Sequence, residues 1–471
     1  MKNKTICCIG AGYVGGPTMA VIASKCPEIK VEVVDIDSKR IDSWNDSLSK
    51  LPIFEPGLQE IIDKTRGKNL FFSTEIDKAI ESADIIFMAV NTPTKNYGIG
   101  QGMATDLTFV EECSRRISKV ARSSKIVVEK STAPIGTAEK IKSILNSNRN
   151  GIKFEVISNP EFLAEGTAIN DLINPDRVLI GGDQTKSGLK AIDQIVNIYR
   201  RWVPDDKILT TNLWSSELSK LASNAFLAQR ISSINSLSAL CEKSGANIDE
   251  VSNAIGKDSR IGSNFLNPSV GFGGSCFKKD ILNLVYLCEY YGLNEVSEYW
   301  HQVIKINSYQ KDRFAKRIIK ELNNTIRNKT ISILGWAFKK DTNDSRESAA
   351  IDLSISLLNE GALINIYDPM VEHDTIINDI ESQLKLESLT ENKIKEIISR
   401  VNIFNNLYDT LNSSFCIAIV TEWNEFKSID WKKAEKILEK PSIIADGRNI
   451  LDYDSLKMIQ SKYISIGRPE I

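Results

Sequence analysis

The sequence predicts an α/β protein with two Rossmann-like, doubly wound parallel-sheet domains joined by a central helical domain. Three observations support this fold class. Short apolar runs alternate with helical segments over roughly the first 210 residues, as in a parallel sheet covered by helices. A long segment without glycine or proline follows, after which the alternation begins again. The length of 471 residues also exceeds what one hydrophobic core usually supports.

The first strand–turn–helix–strand unit carries a dinucleotide-binding pattern. An apolar run at residues 4–9 leads into the turn Gly10-x-Gly12-x-x-Gly15, and Asp35 ends the next predicted strand. The glycines allow backbone N–H groups to approach a pyrophosphate at the start of a helix. Asp35 would bind the adenosine ribose and repel a 2′-phosphate. The pattern therefore predicts NAD over NADP, a preference that the nearby Arg40 weakens slightly, whereas a turn with only a structural role is the alternative.

Further apolar runs extend the first predicted sheet. They lie at residues 85–90, 125–128, 154–157 and 178–180, with helical segments between them. Since the alternation ends near residue 210, we expect an NAD-binding domain over residues 1–212.

The central segment has helical character. Residues 213–243 contain no glycine or proline and carry apolar residues at helical spacing. Residues 210–212 offer an N-cap, and Gly245 offers a stop. A helix of this length suits a connector between domains or the core of an oligomer. Helical segments at 280–291 and 296–322 complete a predicted domain over residues 213–325.

The pattern of the first domain then repeats. A strand at 329–334 ends in Gly335, a helix is predicted over 346–359, and a strand at 363–367 ends in Asp368. Strands at 415–420 and 442–445 follow. Because the turn after Gly335 lacks the three-glycine pattern, we expect the domain over residues 326–471 to hold a ligand other than a dinucleotide.

Composition excludes several classes of protein. The 59 basic and 61 acidic residues give a formal net charge of -2, without the basic excess typical of nucleic-acid binding. No apolar run is long enough for a membrane span, and no targeting segment is recognisable, so the cytoplasm is the expected location.

The eight cysteines include no CxxC pair, so we expect no metal site. We expect the cysteines to be free thiols, most of them buried. Only two histidines occur, and both lie outside any motif; acid–base chemistry therefore falls to Lys, Asp, Glu or Cys.

A second candidate site follows the glycine-rich segment at residues 271–274. Cys276 lies near a predicted helix start with two lysines close by, and Asp280 is one helical turn further on. A helix N-terminus and neighbouring cations stabilise a thiolate. The spacing suits covalent catalysis, and an inert buried cysteine is the alternative.

Two further groups are candidates for catalysis. Lys220 and Asn224 share one face of the long helix and could donate hydrogen bonds to an oxyanion, although a solvated lysine stripe would look the same. Glu161 and Glu165 follow a predicted strand, at the edge of the sheet where such folds bind ligands. Because exposed loops also commonly carry glutamates, the alternative is that these two have no role in a site.

Taken together, these blocks resemble the UDP-glucose/GDP-mannose dehydrogenase family, and most closely its animal-type members. The resemblance covers nearly the whole chain and rests on residues 10–16, 91–94, 129–132, 159–167, 215–224, 270–280, 338–348 and 446–448. It implies NAD-dependent, four-electron oxidation of UDP-glucose to UDP-glucuronate, with a thiohemiacetal and then a thioester on a cysteine and with two NADH produced. It also implies a homo-oligomer, either a dimer or a hexamer built of dimers.

The resemblance implies roles for individual residues. Cys276 would be the nucleophile, Lys220 and Asn224 oxyanion donors, Asp280 a support for Lys220 or a water, and Glu161 the acid–base group of thioester hydrolysis, with Thr132 also catalytic. The implied cofactor contacts are Gly10, Gly12, Tyr13, Val14, Gly15, Asp35, Arg40, Thr92, Ser131, Thr132, Glu165, Lys279 and Arg346. The implied substrate contacts are Glu161, Phe162, Leu163, Lys220, Asn224, Arg260, Phe265, Gly271, Phe272, Gly273, Phe277, Phe338, Lys339 and Arg448. Arg260 is expected to reach in from a neighbouring subunit.

The sequence departs from the family pattern in two places. Asn267-Pro268 replaces a Lys-Ala pair common in animal relatives, so a substrate contact from that lysine is not carried over. Trp336 stands where relatives often have Phe, which we interpret as a packing change.

Alternative functions remain open at the level of sequence. A sister enzyme acting on GDP-mannose or a UDP-N-acetylhexosamine would share the catalytic set. A non-catalytic nucleotide-sugar sensor is disfavoured because Cys276, Lys220, Asn224 and Asp280 are all present. Two-electron hydroxyacid dehydrogenases share the first domain but need no cysteine.

Overall fold

A computed structural model describes residues 4–46, 51–147, 151–452, 456 and 459–469. The chain divides into two compact units, Met1–Ser223 and Asn224–Ile471. The three domains predicted at residues 1–212, 213–325 and 326–471 stay a prediction.

The first unit contains an eight-stranded sheet. Its strands are β1 (Thr5–Ile9), β2 (Lys30–Val34), β3 (Leu70–Ser73), β4 (Ile85–Met88), β5 (Lys125–Glu129), β6 (Phe154–Ser158), β7 (Val178–Gly182) and β8 (Ile208–Thr211). They are arranged in the order β3-β2-β1-β4-β5-β6-β7-β8. Neighbours are parallel except β6 and β7, which are antiparallel. The first six strands have the order of a dinucleotide-binding fold, and the switch point lies between β1 and β4.

Helices of the first unit accompany this sheet. They are α1 (Gly15–Lys25), α2 (Ser38–Asn45), α3 (Leu58–Thr65), α4 (Ile76–Ser82), α5 (Thr108–Val120), α6 (Thr137–Asn146), α7 (Ala168–Ile173) and α8 (Lys186–Tyr199). The adjacent residues Cys7 and Cys8 are fully buried in two different apolar clusters. Because side chains alternate along a strand, β1 is covered on both faces, as the sequence predicts.

The long helix α9 (Leu213–Ser244) confirms the predicted uninterrupted helix. Asn212 Oδ1 accepts a hydrogen bond of 2.8 Å from the Ser215 N–H at its start. Gly245 ends it with a φ of 81°. Three helices follow: α10 (Ile248–Gly256), α11 (Phe277–Tyr290) and α12 (Asn294–Glu321). Among the helices that the structure describes, none is both long and apolar enough to cross a membrane.

The second unit contains a six-stranded, all-parallel sheet. Its strands are β9 (Thr330–Leu334), β10 (Leu363–Tyr367), β11 (Val401–Ile403), β12 (Cys416–Ile419), β13 (Ile443–Asp446) and β14 (Lys462–Ser465). Its helices are α13 (Ala349–Asn359), α14 (His373–Leu386), α15 (Glu391–Ile398), α16 (Leu407–Leu411), α17 (Asn424–Lys427) and α18 (Trp431–Ala434). The strand order β11-β10-β9-β12-β13-β14 repeats that of the first six strands of the first sheet, so the predicted second Rossmann-like sheet is confirmed.

One helix starts later than predicted. The sequence predicts a helix from residue 346, but α13 begins at Ala349 because Ser348 Oγ caps the Ala350 N–H at 3.2 Å. Glu347 precedes the cap with a φ of 55°, a left-handed conformation that a helix cannot contain. Arg346 therefore lies in the loop before α13.

Candidate active site

The glycine turn between β1 and α1 has the geometry expected of a dinucleotide site. Gly10 has a φ of 111°, and a Cβ there would lie 2.3 Å from the Ala89 carbonyl oxygen. A Cβ on Gly15 would lie 2.0 Å from the Gly10 carbonyl oxygen, whereas one on Gly12 would meet nothing within 4 Å. Two glycines are thus required by packing, and the third leaves open space at the helix N-terminus. That cradle fits a pyrophosphate.

The Asp35 carboxylate directly follows β2 and is held in one orientation. Its Oδ2 accepts a hydrogen bond of 2.8 Å from the Ala11 N–H, and its Oδ1 accepts one of 3.0 Å from the Asp37 N–H. Arg40 Nη1 lies 3.2 Å from Oδ2. Since a carboxylate can accept about four hydrogen bonds, Asp35 keeps the capacity to bind ribose hydroxyls, as NAD requires. The charge of Arg40 is partly compensated by this ion pair.

Other predicted cofactor residues lie on loops at the carboxyl ends of the strands. Thr92 Oγ1 donates to the Thr132 carbonyl at 2.8 Å, and Ser131 Oγ donates to the Val90 carbonyl at 2.6 Å. These bonds join the loop after β4 to the loop after β5. Tyr13 Oη donates to Glu55; Val14 is the N-cap residue of α1, and Glu165 is half-buried.

Glu161 forms a buried ion pair with Lys130. The Lys130 Nζ lies 2.8 Å from Glu161 Oε2, and the Phe162 N–H donates to Oε1 at 2.8 Å. Burial favours the protonated carboxyl, but the Lys130 ammonium, the Phe162 N–H and the charge of Lys220 together outweigh it, so the pKa of Glu161 lies below its usual value. An ionised carboxylate can accept a proton, which suits the role of a general base.

The first unit also brings Lys220 close to this carboxylate. The Lys220 Nζ lies 5.3 Å from the centre of the Phe162 ring, and its charge contributes to the lowered pKa of Glu161. The Arg177 guanidinium stacks on the same ring at 3.9 Å. Three residues that the sequence predicts for the site, Glu161, Phe162 and Lys220, are therefore neighbours. Leu163 packs against the apolar core.

In the second unit, Cys276 is the N-cap residue of α11. It is exposed, whereas the other seven cysteines are buried, and all eight are free thiols. A thiolate here would face the positive end of the helix dipole. The flanking cations are partly compensated, because Lys278 pairs with Glu347 at 2.8 Å and Lys279 Nζ lies 3.9 Å from Asp280.

Asp280 and Asn224 form a buried hydrogen bond in the second unit. The Asn224 Nδ2 donates to Asp280 Oδ2 at 2.6 Å, and both side chains are buried. An amide nitrogen carries two hydrogens. Asp280 therefore fixes the orientation of the amide by engaging one of them.

The loop before Cys276 packs against the carboxyl edge of the second sheet. A Cβ on Gly273 would lie 2.5 Å from the Glu347 carbonyl oxygen, and one on Gly274 would lie 2.9 Å from the Phe338 ring. Gly271 has a φ of 129°. The Phe272 N–H donates to Asn307 Oδ1 at 2.8 Å. The glycines are thus needed for close approach of two loops.

Arg448 links two loops at this edge. Its Nε donates to the Val420 carbonyl at 2.6 Å, and its Nη2 donates to the Phe338 carbonyl at 2.8 Å. The Lys339 Nζ lies 5.7 Å from the centre of the Phe338 ring. The structure therefore brings together three predicted substrate residues, and Phe277 packs edge-on against Phe272 at 5.7 Å.

Asp368 shows that the second sheet differs from the first at the position where Asp35 would bind a ribose. Like Asp35 it follows the second strand of its sheet, but its Oδ2 accepts hydrogen bonds from the Trp336 and Ala337 N–H groups and from Trp423 Nε1. Its Oδ1 accepts from Met370 and Val371. A carboxylate with these five donors has no capacity left for ribose hydroxyls. Trp336 itself is fully buried, in agreement with a packing role.

Besides Cys276, three predicted site residues are exposed in the second unit. The Arg260 side chain is 88% exposed and pairs with Asp258 at 2.6 Å. Phe265 is exposed with a φ of 62°, and Arg346 pairs with Asp344 at 2.6 Å. Among the residues that the structure describes, no group of three His, Cys, Asp or Glu side chains is placed to hold a metal ion.

Comparisons with known proteins identify the family. Three models of the UDP-glucose/GDP-mannose dehydrogenase family match the chain: the NAD binding domain at residues 4–203, the central domain at 214–309 and the UDP binding domain at 332–453. UDP-glucose 6-dehydrogenase 1 of Glycine max is 56% identical over 471 residues, which cover 98% of this chain and 97% of that protein. The chain belongs to the UDP-glucose/GDP-mannose dehydrogenase family.

Further members of the family agree in sequence and fold. UDP-glucose 6-dehydrogenase 4 of Arabidopsis thaliana is also 56% identical over 98% of this chain and 97% of its own length. A UDP-glucose dehydrogenase structure from Pyrobaculum islandicum superimposes with a TM-score of 0.82 at 28% identity, covering 99% of this chain and 98% of that one. The predicted family, fold class and NAD cofactor are confirmed. The match to a UDP binding domain agrees with a second sheet that holds a different ligand.

Sequence reasoning missed several residues that shape the site. Lys130 pairs with Glu161, and Tyr199 contacts Lys130. Arg177 stacks on the Phe162 ring. None of these three residues was predicted to have a role. Their spacing along the chain gives no signal, because they come from different strands and helices. A lysine directly after a strand predicted to be buried was the one available hint, since buried lysines need an anionic partner.

Proposed function

We propose that this protein oxidises UDP-glucose to UDP-glucuronate in an NAD-dependent reaction that removes four electrons. The observation that carries the proposal is Cys276, the one exposed cysteine, at the start of α11. A cysteine can retain the aldehyde between two oxidations. Membership of the family and plant relatives named UDP-glucose 6-dehydrogenase at 56% identity support the substrate.

Cys276 carries the covalent steps in this proposal. NAD, when bound, accepts one hydride from C6 in each of the two oxidations. After the first oxidation the Cys276 thiolate attacks the C6 aldehyde and forms a thiohemiacetal. The second oxidation converts that adduct to a thioester, which water then cleaves.

Lys220 and Asn224 stabilise the oxyanions that form at C6 oxygen. An ammonium and an amide N–H are both hydrogen-bond donors, and preorganised donors act most strongly where water is excluded. Both side chains are buried. The hydrogen bond from Asn224 to Asp280, 2.6 Å long, supports this role by fixing the orientation of the amide group.

Glu161 accepts a proton from the hydrolytic water. Despite its burial the carboxyl is ionised at neutral pH, because Lys130 and its other partners hold its pKa below the usual value, so it is able to accept a proton. The proposal also includes a catalytic role for Thr132 and the cofactor and substrate contacts that the resemblance implies.

A panel of sugar nucleotides tests the substrate. With NAD present, we expect NADH production with UDP-glucose to far exceed that with GDP-mannose, UDP-N-acetylglucosamine or UDP-N-acetylmannosamine at equal concentration. Faster oxidation of any of those three would assign the protein to a sister activity within the family.

We further propose a homo-oligomer, a dimer or a hexamer built of dimers, located in the cytoplasm. Phe226 and Leu240 on α9 are 60% and 62% exposed, and Tyr290 on α11 is 72% exposed. Large exposed apolar side chains on neighbouring helices are typical of an interface between subunits. Free thiols at all eight cysteines are consistent with a reducing compartment.

If Arg260 completes the site of a neighbouring subunit, two inactive variants should complement each other. Mixed Arg260→Ala and Cys276→Ser subunits should recover part of the wild-type activity, because a hybrid can contain one intact site. Native mass spectrometry would confirm that the subunits exchange. Hybrids without any activity would contradict a shared site.

A further inference from the structure

The buried Lys130 side chain has no role in the mechanism described so far. Lys130 directly follows β5, and only 2% of its side chain is exposed. An ammonium at such a position is strongly disfavoured unless anionic and polar groups surround it. Its Nζ lies 2.8 Å from Glu161 Oε2, 3.2 Å from Asn159 Oδ1 and 3.4 Å from Tyr199 Oη.

The partners of Lys130 are themselves fixed. Tyr199 Oη donates to Asn159 Oδ1 at 2.7 Å, and Asn159 Nδ2 donates to the Leu179 carbonyl at 2.8 Å. The acceptors around the ammonium are therefore anchored to α8 and β7. Since Glu161 Oε1 also accepts the Phe162 N–H, both oxygens of the carboxylate are held in place.

We propose that Lys130 is a positioning residue, whose ammonium keeps Glu161 ionised and oriented to accept a proton from the water that cleaves the thioester. This inference rests on the proposed function. In the step, the water oxygen forms a bond to C6, and one water proton passes to Glu161. The C6–S bond breaks with its electron pair leaving on sulfur, and the second water proton is lost as the acid becomes a carboxylate.

The electrostatic surroundings of Glu161 make it dependent on Lys130. Within the first unit the ionisable groups near this carboxylate are Lys130, Lys220 and Tyr199, and the small cavity beside it is also lined by Asp171 and Arg177. Burial raises the pKa of Glu161, while Lys130 makes the largest contribution that lowers it. Without this cation burial would dominate, and the carboxyl would bind a proton at higher pH.

The Lys130→Met variant tests the inference through the pH dependence of turnover. Loss of a close opposite charge shifts a carboxyl pKa by about one to three units. The acid limb of the curve of turnover against pH should therefore move to higher pH by that amount. The initial burst of two NADH per active subunit should persist. Below the new limb, intact-protein mass spectrometry should detect the thioester on Cys276, and at high pH steady turnover should recover.

Lys125→Met is the matched control. Lys125 is also buried on β5, but its Nζ donates to the backbone carbonyls of Glu81 and Ala83. Its replacement removes a buried lysine from the strand that Lys130 directly follows. We expect its acid limb to coincide with that of the wild type.

The outcomes separate this inference from the proposed function. A folded Lys130→Met protein with a wild-type acid limb would overturn the role of Lys130. If that variant does not fold, Tyr199→Phe decides: a smaller shift in the same direction supports the inference, and an unchanged limb overturns it. Wild-type protein that forms no NADH from UDP-glucose would instead refute the proposed function itself.

Discussion

Replacing Cys276 with serine should stop turnover after the sugar has become attached to the enzyme. A serine hydroxyl is far less acidic than a thiol at a helix start, and an ester hydrolyses more slowly than a thioester. Steady production of UDP-glucuronate should therefore fall to near zero, and intact-protein mass spectrometry should detect a covalent sugar adduct. Normal turnover by the Cys276→Ser protein would show that Cys276 has no covalent role.

Cys288→Ser is the control for this substitution. Cys288 lies on the same helix, α11, but is buried. Its replacement should lower the free energy of unfolding without forming an adduct or blocking product formation. Thermal unfolding and product assays on both variants would separate a loss of stability from a loss of chemistry.

Lys220→Ala should reduce turnover far more than it weakens the binding of UDP-glucose. Removing one donor from an oxyanion site typically reduces turnover about 100- to 1000-fold. Lys220 is buried, and its Nζ lies 5.3 Å from the Phe162 ring centre, so little water is present to replace it. Steady-state kinetics and equilibrium binding of UDP-glucose would measure the two effects separately.

An exposed lysine on the same helix provides the comparison for Lys220. Lys243 lies in the last turn of α9 and is exposed, so Lys243→Ala should leave both turnover and affinity unchanged. A Lys220→Ala variant with near-normal turnover and poor affinity would assign Lys220 to substrate binding.

The sequence predicts the central strands of both sheets but not their edges. The four strands that periodicity missed are β3, β8, β11 and β14, and each lies at an edge of its sheet. Central parallel strands are buried on both faces and form continuous apolar runs, as in residues 85–88. An edge strand such as β11 is only three residues long and partly exposed, so its residues look like those of a loop.

Local motifs were predictable, and contacts between distant segments were not. The glycine turn, Asp35 and the position of Cys276 at a helix start all follow from neighbours in sequence. The bond between Asn224 and Asp280 joins residues 56 positions apart, and the packing of Tyr199 on Lys130 depends on the arrangement of strands. Spacing along the chain carries no signal for such pairs, because the fold decides which elements become adjacent.

The stoichiometry of NADH formation tests the central claim most directly. Limiting UDP-glucose should be incubated with excess NAD and wild-type protein, and NADH should be counted by absorbance while the sugar products are separated by chromatography. Conversion of a primary alcohol to a carboxylate removes two hydrides, so we expect two NADH and one UDP-glucuronate per UDP-glucose, without released aldehyde. One NADH per sugar, with free aldehyde as the product, would contradict four-electron oxidation through Cys276.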